Sequence, residues 1–237
     1  MGEFGIEKSG TLSDFQKSGL WKQGQPLRLH LGCGSVKLAG YINIDFAPTE
    51  HTVQTFSAAD HFGDILRITF PPESVDEVRL HHVFEHFDRP TALGQLFRWH
   101  IWLKIGGILT IETPDLSASL WMLILPWYPY ATKQAVLRHL FGSHEAHWAI
   151  HYDAWNKEKF SRALRAFGFG DLHFELSKYK STRNILVHAV KNQTMSSDLL
   201  MKEAEGILRD SLIDNSDTEN RLLKVWLDKL IESCILL

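Results

Sequence analysis

Short apolar runs alternate with polar or glycine-rich loops from residue 27 onward. Four of them have the length and composition of buried strands: 27–31 (LRLHL), 41–45 (YINID), 76–82 (DEVRLHH) and 107–113 (GILTIET). A longer segment of helical period, 91–104, precedes the fourth run. Strands that alternate with helices are typical of a parallel sheet with crossover helices. The pattern predicts an α/β domain.

The pattern changes after Pro114. An aromatic, histidine-rich stretch without clear period extends to about residue 155, and a helix follows at 157–167, ended by Gly168. Two strand-like runs, 171–177 and 184–190, leave no room for a crossover helix between them. We therefore expect these two strands to pair antiparallel at the sheet edge.

One run, 120–130 (LWMLILPWYPY), is very apolar but too short to span a bilayer. It predicts a buried helix followed by a turn, with a substrate-cavity wall or a membrane-surface patch as alternatives. The tail predicts two helices, the second opened by Ser216 with Glu219 in capping-box spacing. Its apolar stripe, which includes Leu223, Leu230 and Cys234, should pack on its own domain or form a homodimer contact.

These patterns divide the chain into three parts. Residues 1–25 form an N-terminal arm or cap, 26–192 the main domain with a substrate-side insertion at 116–156, and 193–237 a C-terminal helical extension. A chain of 237 residues can bury one such core.

Composition narrows the function. A net charge of -3 and 44% hydrophobic residues exclude a disordered chain and do not indicate a nucleic-acid partner. The two cysteines, Cys33 and Cys234, are too few for a disulfide framework and predict free thiols. The chain shows neither a signal peptide nor a transmembrane run, so we expect a cytoplasmic protein.

A glycine turn between the first two strands carries the most specific signal. Gly32 and Gly34 let the backbone turn sharply and approach a ligand closely, and Asp45 ends the next strand, where a carboxylate can accept hydrogen bonds from ribose hydroxyls. The dinucleotide fingerprint fits poorly, because Lys37 replaces its third glycine and its acidic residue lies farther on. The segment predicts a nucleoside-binding crevice, and we expect no NAD binding.

Several motifs carry a family resemblance. The segment 31–34 (LGCG) resembles the first motif of class I S-adenosylmethionine-dependent methyltransferases, and 40–45 (GYINID) is similar to a bacterial subgroup linked to glycan and cell-envelope biosynthesis. The segments 82–87 (HVFEHF), 103–109 (LKIGGIL) and 114–116 (PDL) continue the resemblance in the same order. It implies a Rossmann-like, mostly parallel seven-stranded sheet with an antiparallel edge strand, plus C-terminal helices.

The resemblance also implies a set of S-adenosylmethionine contacts. Gly32, Cys33 and Gly34 would line the methionine moiety, and Asp45 would hold the ribose. Asp64 and Ile65 would lie near the adenine. His81 and His82 would lie near the sulfonium. His30 would contact the methionine end, at a position where the wider class often has an acidic residue and the narrower subgroup tolerates histidine.

Methyl transfer to a hydroxyl requires alignment of the acceptor and a base. The segment 141–155 is rich in candidates, and the resemblance points to His151, which precedes the aromatic Trp155, as a base or substrate contact. His82 and Glu85 are further catalytic candidates near the cofactor. His151 could instead be structural, or could share a helical face with His144 and His147 as metal ligands, although we expect no metal.

The resulting prediction is an enzyme that transfers a methyl group from S-adenosylmethionine to an oxygen of a sugar or glycan intermediate. O- or N-methylation of a small molecule or natural product is one alternative, and a regulatory protein that binds the cofactor without catalysis is another. The Asn/Asp-Pro-Pro-aromatic motif of amino-methylating enzymes that act on DNA bases is absent, because HHVFEHF (81–87) stands at the end of the run 76–82. A nucleic-acid substrate is therefore disfavoured.

Overall fold

The computed structural model describes residues 12–50 and 52–234. Within these residues seven strands form one sheet, in the order β3-β2-β1-β4-β5-β7-β6. The strands are β1 (Arg28–Leu31), β2 (Ile42–Asp45), β3 (His61–Phe62), β4 (Val75–His81), β5 (Leu103–Pro114), β6 (Phe169–Tyr179) and β7 (Thr182–Lys191). The first five strands run parallel, whereas β7 runs antiparallel to both β5 and β6. The predicted Rossmann-like sheet is confirmed, and its reversed strand lies one position in from the edge.

Helices cover the sheet. They are α1 (Leu12–Lys17), α2 (Arg89–Trp102), α3 (Leu116–Ile124), α4 (Tyr130–Phe141), α5 (Lys157–Ala166), α6 (Ser197–Arg209) and α7 (Asp217–Cys234). Two short 3₁₀ helices bear on the site, Phe84–His86 and His147–Ala149. No helix among the described residues is long and apolar enough to cross a membrane.

The core explains why the central strands form. Leu29 and Leu31 of β1 are fully buried, as are Val78 and Leu80 of β4, because alternate residues of a strand point to the same face and that face is covered. The chain adds β2 and β3 on one side of β1 and then β4 and β5 on its other side, so the direction of strand addition reverses between β1 and β4. In open α/β sheets such a switch point leaves a crevice at the carboxyl ends of the strands.

The C-terminal helix α7 packs on α2. Its stripe residues Leu223, Leu230 and Cys234 are buried, which confirms packing on its own domain. At the same contact Lys229 pairs with Asp88, the residue that caps the start of α2. The apolar stripe is therefore covered within the chain.

Two helical glycines provide a matched stability test. Alanine favours a helix over glycine by about 0.5–1 kcal/mol. A Cβ on Gly206 in α6 would contact nothing within 4 Å, whereas one on Gly94 in α2 would lie 2.5 Å from Ser233 Cβ in α7. We expect Gly206→Ala to raise the free energy of unfolding, and Gly94→Ala to lower it by about 1–3 kcal/mol through overpacking. Urea denaturation measures both, and stabilisation by Gly94→Ala would contradict the α2–α7 contact.

The region after Pro114 is more regular than the sequence suggests. The stretch that showed no clear period contains two regular helices, α3 and α4, of which the sequence predicted only one. The buried helix predicted at 120–130 is wrong in its burial, since α3 forms but Trp121 and Ile124 are 63% and 69% exposed. The hydrophobic composition of this segment predicts that it is apolar, but it does not predict which of its side chains are buried in the core.

The N-terminal arm lies partly outside the described residues, which begin at Leu12. Leu20 and Trp21 are partly buried and pack against the core. The sequence interpretation missed Phe15 of α1, which is buried against Phe70 with ring centroids 5.8 Å apart.

Candidate active site

A cavity of about 940 Å³ opens at the carboxyl ends of the parallel strands. Every residue predicted to contact the cofactor lines it: His30, Gly32, Cys33, Gly34, Asp45, Asp64, Ile65, His81 and His82. Cavities of this size are typical of small-molecule and cofactor sites. The structure therefore brings the predicted cofactor residues together in one space.

The glycine turn forms one wall of the cavity. Gly32 and Gly34 have φ angles of 67° and 55°, which favour glycine. A Cβ on Gly32 would lie 2.3 Å from Cγ2 of Val83, so packing also demands glycine there. Cys33 stands between the two glycines. Burial raises the pKa of its thiol to about 12, so this thiol is protonated and unreactive at neutral pH.

Asp45 ties the turn to β2. Its Oδ2 accepts a hydrogen bond of 2.5 Å from the backbone N–H of Gly34, and its Oδ1 accepts one of 2.7 Å from that of Phe46. Each carboxylate oxygen can accept more than one hydrogen bond. Only 6% of Asp45 is exposed, and it lines the cavity. A carboxylate is thus fixed where a polyhydroxylated ligand could meet it.

His30 is held in a neutral state. Its Nδ1 donates to Oδ1 of Asn43 at 3.0 Å, because that amide oxygen also accepts from the Leu38 backbone N–H and must be the carbonyl side. Burial lowers the pKa of His30 by more than the hydrogen bond to Asn43 raises it. A neutral imidazole does not reproduce the negative charge of an acidic residue at this position.

A polar network that includes His81 and Glu112 also lines the cavity. Nε of Arg79 donates to Nε2 of His81 at 2.7 Å, and Nδ1 of His81 donates to Glu112 at 2.6 Å. Glu112 also accepts hydrogen bonds from Ser177 (2.9 Å) and Asn184 (2.8 Å). The hydrogen bond from His81 is the main cause that holds the pKa of Glu112 at about 2, against burial. Glu112 is therefore a fixed anion that orients its neighbours.

His82 extends this network to Glu85. Its backbone has a φ of 54°, an unusual value for a non-glycine residue. Its Nδ1 donates to Oε1 of Glu85 at 3.2 Å, while its Nε2 accepts from Asn184 at 2.9 Å. Burial lowers the pKa of His82, but the hydrogen bond and charge of Glu85 outweigh it and leave the pKa raised. The same contact lowers the pKa of the buried Glu85 despite the opposing effect of its burial.

His151 does not line the cavity. Its ring lies edge-on against that of His86, with centroids 4.6 Å apart, and His86 does line the cavity. Burial lowers the pKa of His151, and the charge of Glu85 partly opposes this. Its role as a base stays a prediction, since any direct contact with an acceptor requires the wall at His86 to move.

The histidine-rich segment contributes other groups to the cavity, namely Glu145 and Trp148. His144 has a φ of 59° and its Nε2 donates to the Phe141 carbonyl at 2.9 Å, while only 147–149 form a short 3₁₀ helix. His144, His147 and His151 therefore do not share a helical face, because the chain turns between them.

Sequence interpretation missed several cavity residues. Arg79, Glu112 and Asn184 complete the polar network, and Phe46 and Tyr179 add aromatic surface. A signal was present for Glu112, because a carboxylate within the apolar run 107–113 points to a function near the carboxyl end of a strand. Asn184 and Tyr179 carried no such signal.

Comparisons with known proteins give fold-level similarities. No protein-family model and no curated protein matches the sequence. A solved structure of an S-adenosylmethionine-dependent methyltransferase from Archaeoglobus fulgidus is 16% identical, with a TM-score of 0.47, over 76% of this chain and 92% of its own. A possible exported protein from Bordetella parapertussis is 17% identical, with a TM-score of 0.46, over 76% of this chain and 67% of its own. Phosphoethanolamine N-methyltransferase 2 from Haemonchus contortus, solved with S-adenosyl-L-methionine, is 14% identical, with a TM-score of 0.44, over 76% of this chain and 52% of its own.

Proposed function

We propose that this protein is an S-adenosylmethionine-dependent methyltransferase. The observation that carries the proposal is one cavity that is lined both by the glycine turn with Asp45 and by the His81–Glu112 network. The turn and Asp45 suit a nucleoside, and the network suits a polar acceptor. The sequence resemblance to class I enzymes supports the same assignment.

The residues present fit the cofactor. The Asp45 carboxylate offers acceptors for the ribose hydroxyls, while the turn at Gly32 and Gly34 leaves the backbone open to the methionine portion. Ile65 and Phe46 line the same cavity and offer apolar surface for the adenine, beside Asp64. His30, Cys33, His81 and His82, the other proposed cofactor contacts, line the same cavity.

Bound S-adenosylmethionine would supply an electrophilic methyl group to an acceptor oxygen, and its sulfur would keep the electron pair of the methyl–sulfur bond. This chain's residues have to align that oxygen and receive its proton. His82 is the catalytic candidate that faces the cavity, with Glu85 fixing its ring, and its Nε2 would receive the proton once the acceptor hydroxyl replaces Asn184 as its hydrogen-bond donor. His151 would act through His86, which it contacts.

The acceptor we propose is a hydroxyl of a sugar or glycan intermediate. Arg79, Glu112 and Asn184 offer charged and amide groups, and Trp148 and Tyr179 offer aromatic rings, a combination suited to a polyhydroxylated ligand. Glu145 and Trp148 support a substrate-side role for the insertion at 116–156. Small-molecule O- or N-methylation and non-catalytic cofactor binding remain the alternatives. The cytoplasmic location, the domain bounds and a homodimer through the C-terminal helices stay predictions.

Turnover with an acceptor panel tests the proposal. The full chain is incubated with S-adenosylmethionine and sugar nucleotides, glycan fragments or phenols, and S-adenosylhomocysteine is measured by chromatography. We expect turnover with a hydroxylated acceptor, lowered at least about 10-fold by His82→Asn through loss of a positioned hydrogen bond. The exposed His173→Asn is the control and should retain the rate. Cofactor binding without turnover on any acceptor would favour the regulatory alternative.

A further inference from the structure

Three potential metal ligands converge next to the cavity. One ligand atom each from Glu85, His86 and His151 lies within 4.8 Å of the other two, and no other such group occurs in residues 12–50 and 52–234. Glu85 and His86 belong to the 3₁₀ helix after β4, and His151 belongs to the histidine-rich segment. The cluster therefore joins two parts of the chain that are distant in sequence.

Two of these side chains present buried polar atoms without a partner. Oε2 of Glu85 and Nδ1 of His151 are inaccessible to solvent and make no hydrogen bond, and Glu85 is only 1% exposed. A buried acceptor left unpaired destabilises the folded chain, and more so if it is charged. A cation between these two atoms would satisfy both.

The remaining polar atoms of the cluster are already held in the way that metal ligands are held. Nδ1 of His86 donates to the Ile150 carbonyl at 3.1 Å, which leaves its Nε2 as a lone-pair donor. His82 binds Oε1 of Glu85 and leaves Oε2 available. Such outer contacts fix ring orientation and tautomer in metal sites.

We propose that Glu85, His86 and His151 bind a divalent transition-metal ion of the zinc type. Two imidazoles and one carboxylate form a ligand set that suits zinc and its first-row neighbours, and not the all-oxygen preference of magnesium or calcium. Two ligand atoms at about 2.1 Å from a tetrahedral ion lie about 3.4 Å apart, so a pair at the 4.8 Å limit has to close by about 1.4 Å on binding. His86 lines the cavity, which places the ion at the cavity wall.

The ion would fasten the histidine-rich segment to the 3₁₀ helix. The two are already joined by the backbone N–H groups of Tyr152 and Asp153, which donate to the Glu85 carbonyl at 2.9 and 3.4 Å. Glu145 and Trp148 of the same segment line the cavity, so the ion would fix part of its wall. With the ion bound His151 is a ligand, and His82 is the catalytic histidine that faces the cavity.

Zinc binding to the full chain tests the inference. Protein freed of metal by chelation is titrated with zinc in a calorimeter, and bound metal is counted by elemental analysis after gel filtration. We expect one zinc per chain, with affinity lowered at least about 10-fold in Glu85→Gln and in His151→Asn. His144→Asn is the matched control, because it removes a nearby histidine outside the cluster and asparagine tolerates its positive φ.

Zinc should also raise the unfolding temperature of the wild type and of His144→Asn, but not of the two cluster variants. Circular dichroism verifies that each variant folds, and His86→Asn replaces any that does not. The inference is overturned if the wild type takes up no zinc, manganese, iron(II), cobalt or nickel, or if His144→Asn loses binding equally. The test needs neither cofactor nor acceptor, so its failure is distinguishable from failure of the proposed methyl transfer.

Discussion

Replacement of Asp45 by asparagine is expected to weaken S-adenosylmethionine binding about 10- to 100-fold. A hydrogen bond to a charged group contributes about 1.5–3 kcal/mol, and the asparagine amide presents an NH₂ group where a carboxylate oxygen stood. The substitution preserves size, and its carbonyl oxygen can still accept from the backbone N–H of Gly34 or Phe46. Isothermal titration calorimetry gives the dissociation constant directly.

The control for this variant is Asp171→Asn. Asp171 is exposed on β6, outside the cavity, and its φ of 47° suits asparagine. It removes the same charge from the protein, so its affinity for the cofactor should equal that of the wild type. Equal affinities for Asp45→Asn and the wild type would show that Asp45 does not hold the ribose.

Replacement of Phe84 by alanine is expected to lower the free energy of unfolding by about 3–5 kcal/mol, the usual cost of deleting a buried phenylalanine. Phe84 is fully buried, and its ring centroid lies 4.8 Å from that of Trp155, 5.7 Å from Trp99 and 6.2 Å from Phe160. This aromatic cluster anchors the 3₁₀ helix that carries Glu85 and His86. Urea denaturation followed by fluorescence measures the change.

Phe56→Ala serves as the comparison, because Phe56 is 63% exposed. Its effect should stay within about 0.5 kcal/mol. If Phe84→Ala cost no more than Phe56→Ala, the aromatic cluster would not support the site as described.

The cofactor side of the site could be predicted because its parts are close in sequence. Gly32, Gly34 and Asp45 fall within one strand–turn–strand unit. The turn requires positive φ angles at two positions, and the glycines at these positions indicate it in the sequence. The parallel sheet followed from the alternation of strands and helices. The position of β7 between β5 and β6 could not be predicted in this way, since pairing between distant strands depends on packing across the sheet.

The acceptor side was harder to predict because strand register assembles it. Glu112 meets His81 only because β4 and β5 pair at those two positions, and Asn184 of β7 donates to Glu112 and to His82. His86 and His151 are far apart in sequence, and their contact depends on how the histidine-rich segment folds back. The sequence indicated a functional role for that segment, but its spacing suggested His144 and His147 as the neighbours of His151, whereas the structure places Glu85 and His86 beside it.

Calorimetric titration of the wild-type chain with S-adenosylmethionine and with S-adenosylhomocysteine tests the central claim most directly. The cavity with its glycine turn and Asp45 predicts one site per chain for both compounds, and no binding of NAD under the same conditions. If neither compound binds while NAD does, or if none of the three binds, the cavity is not an S-adenosylmethionine site and the proposed methyltransferase function is wrong.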